Sequence, residues 1–266
     1  VRRNLMKSVT TGLFLFCRLL RLDFASFSWY AYPRLISVIK GGSGERIVSP
    51  VYMSEKEIRA VNEPPKRSIL EEIGNAVTHG VGALFAIAGF VLLLLRSDTS
   101  LKVLCSIVYG SCLIMMFLMS CLYHSFRWGT KVKRLWRRFD YISIYLLIGG
   151  TFTPMWLLFW QGELGTTLCI VQWAVIIAGI TFVAIFGPGR PKALHITLFI
   201  VLGWSGLVFL PRLIRENLPL FFTTLGGGIV YTLGIIPFVM KRKGAHFLWH
   251  FFVFFGAMIH WFGIYL

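Results

Sequence analysis

The sequence predicts an all-α integral membrane protein: a bundle of seven transmembrane helices, N-terminus cytoplasmic and C-terminus outside. Three observations predict it. The chain is 56% hydrophobic and 14% charged, with a mean hydropathy of +0.72, whereas soluble domains run at roughly 45–50% apolar. Apolar segments follow one another from Ile73, each close to the roughly 20 residues that a spanning helix needs. The lysines and arginines gather in alternate connections between those segments.

Residues 1–68 read as a leader ahead of a membrane domain at 69–266. Residues 1–52 are patchy and aromatic, with arginines breaking each apolar run. Two readings are open, an interfacial basic helix and a misplaced start ahead of Met53. The second is favoured, because Met53 opens an ordinary polar stretch, "MSEKEIRAVNEPPKRS".

The apolar segments are expected at about 74–95, 102–124, 139–160, 167–187, 193–211, 219–240 and 245–266. Short connections make sequence neighbours antiparallel. Gly149, Gly150, Gly203, Gly206 and the triplet Gly226 to Gly228 allow close helix approach. Pro154 and Pro237 are expected to kink their helices. Cys17, Cys105, Cys112, Cys121 and Cys169 make an odd set, the last four inside apolar runs, and read as packing residues.

The net charge is +16, from 27 basic and 11 acidic residues. In this chain the basic residues lie between spans, so topology and anionic headgroups account for them and no nucleic-acid partner is expected. One set of connections, the leader included, holds 23 Lys and Arg, and the other holds 4. The positive-inside rule therefore puts the N-terminus in the cytoplasm of a multi-pass protein of the inner (plasma) membrane.

With that topology, polar residues collect at one depth. The second segment ends in "SCLYH", which carries Ser120 and His124 to the cytoplasmic side. The third begins there with Asp140 in its first turn, and the seventh begins there with His246 and His250. His246 and His250 are four apart, so they share a helical face and can grip one ion. Asp140 is the one acidic residue inside segments two to seven, where an unpaired carboxylate is costly and marks function. Three neutral imidazoles with an open fourth position match a catalytic zinc site, and Zn2+ is the expected cofactor. Asp140 is placed to take a proton or to orient a histidine, and Ser120 to hold water or a carbonyl oxygen. Glu72, Asn75 and His79 share one face of the first segment at the same end, as packing or as support for the site. His260, ten residues beyond His250, is about 15 Å further along the axis. It reads as a satisfied core histidine ahead of a polar group facing a cavity. His195 reads as interfacial.

The stretches "EEIGNAVTHGVG", "SCLYH", "RRFDYISIYLLIGGTFTP" and "HFLWHFFVFFGAMIH", in that order and spacing, resemble the hemolysin III family. That family is the bacterial branch of the progestin and adipoQ receptor superfamily. The resemblance covers about residues 69–266 and leaves out 1–52. It implies a seven-helix bundle and zinc bound by His124, His246 and His250, with Asp140 reaching the metal through water and Ser120 beside it. It also implies a link to ceramide hydrolysis, and the family's name reflects red-cell lysis.

Three functions compete. One is a metal-dependent hydrolase of a lipid amide or ester, with membrane lipids as partners and a lipid as substrate. Another is a pore-forming cytolysin, which the concentration of polar groups at one end disfavours for a monomer. The last is a membrane sensor with structural zinc.

Overall fold

The computed structural model describes residues 37–40, 46–49, 60, 62–189 and 192–266. Met53 and most of the leader lie outside the described residues. A strand pair precedes the membrane domain: β1 (Ser37–Lys40) runs antiparallel to β2 (Arg46–Ser49), with Val38 opposite Val48 and Ile39 opposite Ile47. Each strand centres on two β-branched residues, which suit a pleated backbone.

Among its described residues, the membrane domain is built of helices joined by short connections. α1 (Ile69–Arg96) starts where the Ser68 hydroxyl accepts the Glu71 backbone N–H at 3.2 Å, with Glu71 and Glu72 complementing the helix dipole. α2 (Ser100–Ser125) starts at Thr99 in the same way. α3 (Lys131–Pro154) starts at Thr130, well ahead of the expected 139, because the cap and a basic first two turns extend the helix beyond its apolar part. Asp140 therefore stands in the third turn and not the first. Past Pro154 the helix continues as a π-helical stretch, Met155–Trp160, so the proline marks a change of helical type. α4 (Gly162–Phe186) ends at Gly187, whose φ of +80° suits a residue without a Cβ.

The fifth span is broken. α5 (Lys192–Gly203) runs into a 3₁₀ turn at Trp204–Val208, and α6 (Leu210–Glu216) leaves at 44°. Gly203, Gly206 and Pro211 explain the break: two poor helix formers are followed by a residue suited only to a new first turn. α7 (Leu218–Val239) starts at the Asn217 cap and runs through Pro237 unbroken, and α8 (Ala245–Tyr265) ends the chain. Among the described residues, six helices are each long and apolar enough to cross a membrane, and the bent pair makes a seventh span if taken as one.

The first apolar core joins α1, α2, α3 and α8 through Ala86, Tyr109, Met116, Phe117, Leu147 and Ala257. A second joins the end of α3 to α4, α6 and α7 around Trp156, Phe209 and Leu213, and a third packs Tyr145, Ile176 and Val183 beside Leu202. At Gly150 an added Cβ would come within 2.6 Å of Cys112 Cβ, so the absence of a side chain sets the α2–α3 approach. Leu84, Phe85, Ile170 and Ile185 stay exposed, as side chains facing lipid should. The described cysteines, Cys105, Cys112, Cys121 and Cys169, are all free thiols.

Candidate metal centre

Two helix ends 122 residues apart meet at the centre. His124 lies one residue before the end of α2, and His246 and His250 occupy the first two turns of α8. The Nε2 atoms of His124 and His246 are 3.4 Å apart. Two nitrogens at tetrahedral positions about 2.0–2.1 Å from one zinc are separated by roughly the same distance. One donor nitrogen from each of the three histidines lies within 4.8 Å of the others. His124 and His250 are buried at 2% and 1% exposure. The residues present therefore fit a metal ion.

α1 supports this group. The Glu72 carboxylate accepts the His124 Nδ1–H at 2.6 Å, and the Asn75 amide is 3.3 Å from the same nitrogen. The tautomer that this requires leaves His124 Nε2 unprotonated and turned toward the α8 histidines, the arrangement by which a carboxylate orients a ligating imidazole. His79 stacks on His250 with ring centroids 3.8 Å apart. Glu72, Asn75 and His79 thus all contact a histidine of the cluster. Ser120, one turn deeper than His124 and 3% exposed, is within hydrogen-bonding reach of the Asp140 carboxyl.

Lys133 joins the centre although no motif marks it. Its side chain is fully buried, its Nζ lies 2.9 Å from Glu72 Oε1, and it stands 4.7 Å above the Tyr123 ring. Counted with the basic loop, it looks topological. The available signal is its spacing: Lys133, Arg137 and Asp140 are i, i+4 and i+7, one helical face. Arg137, also buried, donates to the carbonyls of Asn62 and Glu63.

Of the two other histidines, His195 differs from expectation in its place. His195 is fully buried, not interfacial. Its Nδ1 pairs with the Tyr145 hydroxyl at 2.8 Å, and the rings of Phe182 and Phe199 stand around it. The first turn of α5 faces the protein core, which a hydropathy boundary does not reveal. His260 stays far from the cluster, against Tyr231 on α7.

Beside the metal centre, a cavity of about 110 Å³ opens between α2, α3, α5, α7 and α8. Phe238 and Trp249 line it at the histidine level, with rings 5.0 Å apart and Phe238 also 6.2 Å from the His246 ring. Its other walls are mostly aliphatic and aromatic.

The Haemolysin-III related family profile matches residues 67–261. The chain belongs to the haemolysin III family. It is 36% identical to Hemolysin-3 of Bacillus cereus over 200 residues, 73% of this chain and 90% of that one. The Hemolysin-3 homolog of Bacillus subtilis (strain 168) is 33% identical over 195 residues, 71% of this chain and 91% of the relative. A more distant likeness, 25% over 207 residues, joins it to the human monocyte to macrophage differentiation factor, covering 75% and 85%. The haemolysin III match begins at Arg67, so the strand pair and the leader lie outside it. With its apolar helices, membership makes the chain a multi-pass membrane protein.

Proposed function

We propose that this haemolysin III protein is a zinc-dependent hydrolase of a lipid amide or ester. Its catalytic centre would lie at the cytoplasmic face of the plasma membrane. The observation that carries the proposal is a group of three imidazoles with a Ser120–Asp140 pair one turn deeper and an apolar cavity beside it. Neutral imidazole nitrogens suit zinc, and three of them leave a fourth position open. A zinc ion held by His124, His246 and His250 supplies Lewis acidity and makes water acidic enough to attack near neutral pH.

The protein's own groups do the rest. Asp140 accepts the proton of the attacking water and returns it to the leaving nitrogen or oxygen, so that an amide yields a carboxylate and an amine. Ser120 holds the Asp140 carboxyl in line for that transfer. Glu72 keeps His124 in the ligating tautomer. The cavity takes the substrate's hydrocarbon chain, which fits its apolar lining. The distribution of Lys and Arg, 23 against 4, supports a cytoplasmic N-terminus and hence a cytoplasmic site.

The test is the zinc content of detergent-purified protein by elemental mass spectrometry, beside a His246→Ala/His250→Ala variant. A panel of fluorogenic lipid amides and esters is assayed on the same samples. One zinc per chain, absent from a variant that is still folded, together with turnover of a panel member, is the expected result. A well-folded native protein without zinc refutes the metal centre. Zinc without turnover of any panel member leaves a structural or sensory site.

A further inference from the structure

Two residues that line the cavity away from the histidine cluster carry polar atoms that the protein itself leaves unsatisfied. His260 lines it, is 5% exposed, and its Nδ1 has no hydrogen-bond partner among the described residues. Tyr231 lines it too, stacked on His260 with ring centroids 5.6 Å apart, and its buried hydroxyl is likewise unpartnered. Each such atom is costly to bury unless a partner arrives from outside the fold. The fold makes room for this imidazole: a Cβ on Gly227 would lie 2.3 Å from His260 Cδ2 and 2.5 Å from its Nε2. The two threonines of the lining differ, since Thr151 and Thr232 each donate to a backbone carbonyl of their own helix. His260 is therefore not the satisfied core histidine that the sequence leads one to expect.

We propose that His260 and Tyr231 form a polar subsite for a neutral hydrogen-bonding group, a hydroxyl or keto oxygen, carried on the far part of a lipid chain whose head lies at the three-histidine centre. This deepens the function proposed above and rests on its reading of the cavity as a lipid-chain pocket. The group is neutral because the lining contains no Lys, Arg, Asp or Glu to compensate a charge. The ten residues between His250 and His260 span about 15 Å of helix. An extended chain advances roughly 1.2 Å per bond, so the two polar ends of the ligand are on the order of twelve bonds apart.

Dodecanoate and 12-hydroxydodecanoate separate the possibilities, each competed against a fluorescent fatty acid on the full chain in detergent. The native protein should bind the hydroxylated probe roughly tenfold more tightly. Tyr231→Phe and His260→Phe should each cut that preference, read as the ratio of the two affinities within one variant, to about twofold or less. Tyr231→Phe removes one oxygen and keeps the ring, so it carries the test if the histidine variant fails to fold. Equal affinity of the native protein for both probes overturns the subsite and leaves the lipid pocket standing. Binding of neither overturns both. A preference that survives in both variants overturns the assignment to these two residues.

Discussion

Replacing Glu72 by Gln separates two jobs that one carboxylate performs. Oε2 holds the His124 Nδ1–H at 2.6 Å and Oε1 lies 2.9 Å from the Lys133 ammonium, which is fully buried. The glutamine oxygen still accepts from His124, but as a neutral bond of about half the strength. Orienting partners of metal ligands are worth 10–100-fold in affinity, so E72Q should weaken zinc binding by about tenfold, the low end of that range. Lys133 fares worse. Its ion-pair partner is gone, leaving the Tyr123 ring and the attraction of Asp140, and breaking a buried pair from one side costs about 3–5 kcal/mol. Partial exposure of Glu72, 16% of its side chain, favours the lower figure. For a domain of this size, about 3 kcal/mol corresponds to a melting temperature lowered by on the order of 5–10 °C.

A second substitution makes the reasoning refutable. Adding Lys133→Met removes the stranded charge, so E72Q/K133M should recover most of the lost thermal stability and none of the lost zinc affinity. Affinity is read by chelator competition and stability by melting in one detergent. If E72Q binds zinc within twofold of the native protein, Glu72 does not orient His124. If the double variant is no more stable than E72Q, Lys133 was not the source of the loss.

Other outcomes follow from the same geometry. Asp140→Asn should lower lipid hydrolysis by about 10²–10⁴-fold while zinc content stays at one per chain; loss of zinc instead would make Asp140 a ligand. Gly150→Val should destabilise the protein by about 1–3 kcal/mol through overpacking, because its first added carbon already meets Cys112 at 2.6 Å. That loss is read as a lowered melting temperature with the zinc affinity of the folded fraction unchanged.

The sequence makes most of the centre legible because two kinds of pattern survive without coordinates. Helical spacing puts His246 with His250, Ser120 with His124, and Glu72 with Asn75 and His79. Alternating topology then brings those faces to one depth. What hydropathy misses is where a helix continues past its apolar part. The basic first turns of α3 are helical, so Lys133 points inward one turn before Arg137 and two before Asp140. The broken fifth span escapes for the opposite reason: its residues are apolar throughout, and only Gly203, Gly206 and Pro211 mark the bend. His260 escapes because satisfaction of a buried polar group depends on neighbours from α7, and no local spacing reports those.

Lys133 also serves two ends, topology during insertion and charge balance in the folded bundle. A lysine at the end of a span helps to set orientation while the chain inserts, when its ammonium is still in water. Once the bundle closes, that ammonium loses its water, and the fold must supply an anion to keep it charged. Glu72 is that anion. Because the carboxylate is fixed from one side by Lys133, its other oxygen presents a set position and charge to His124. The imidazole is thereby held before any metal arrives, and binding need not order it first. The lysine thereby stiffens an imidazole of the candidate metal centre that it does not touch.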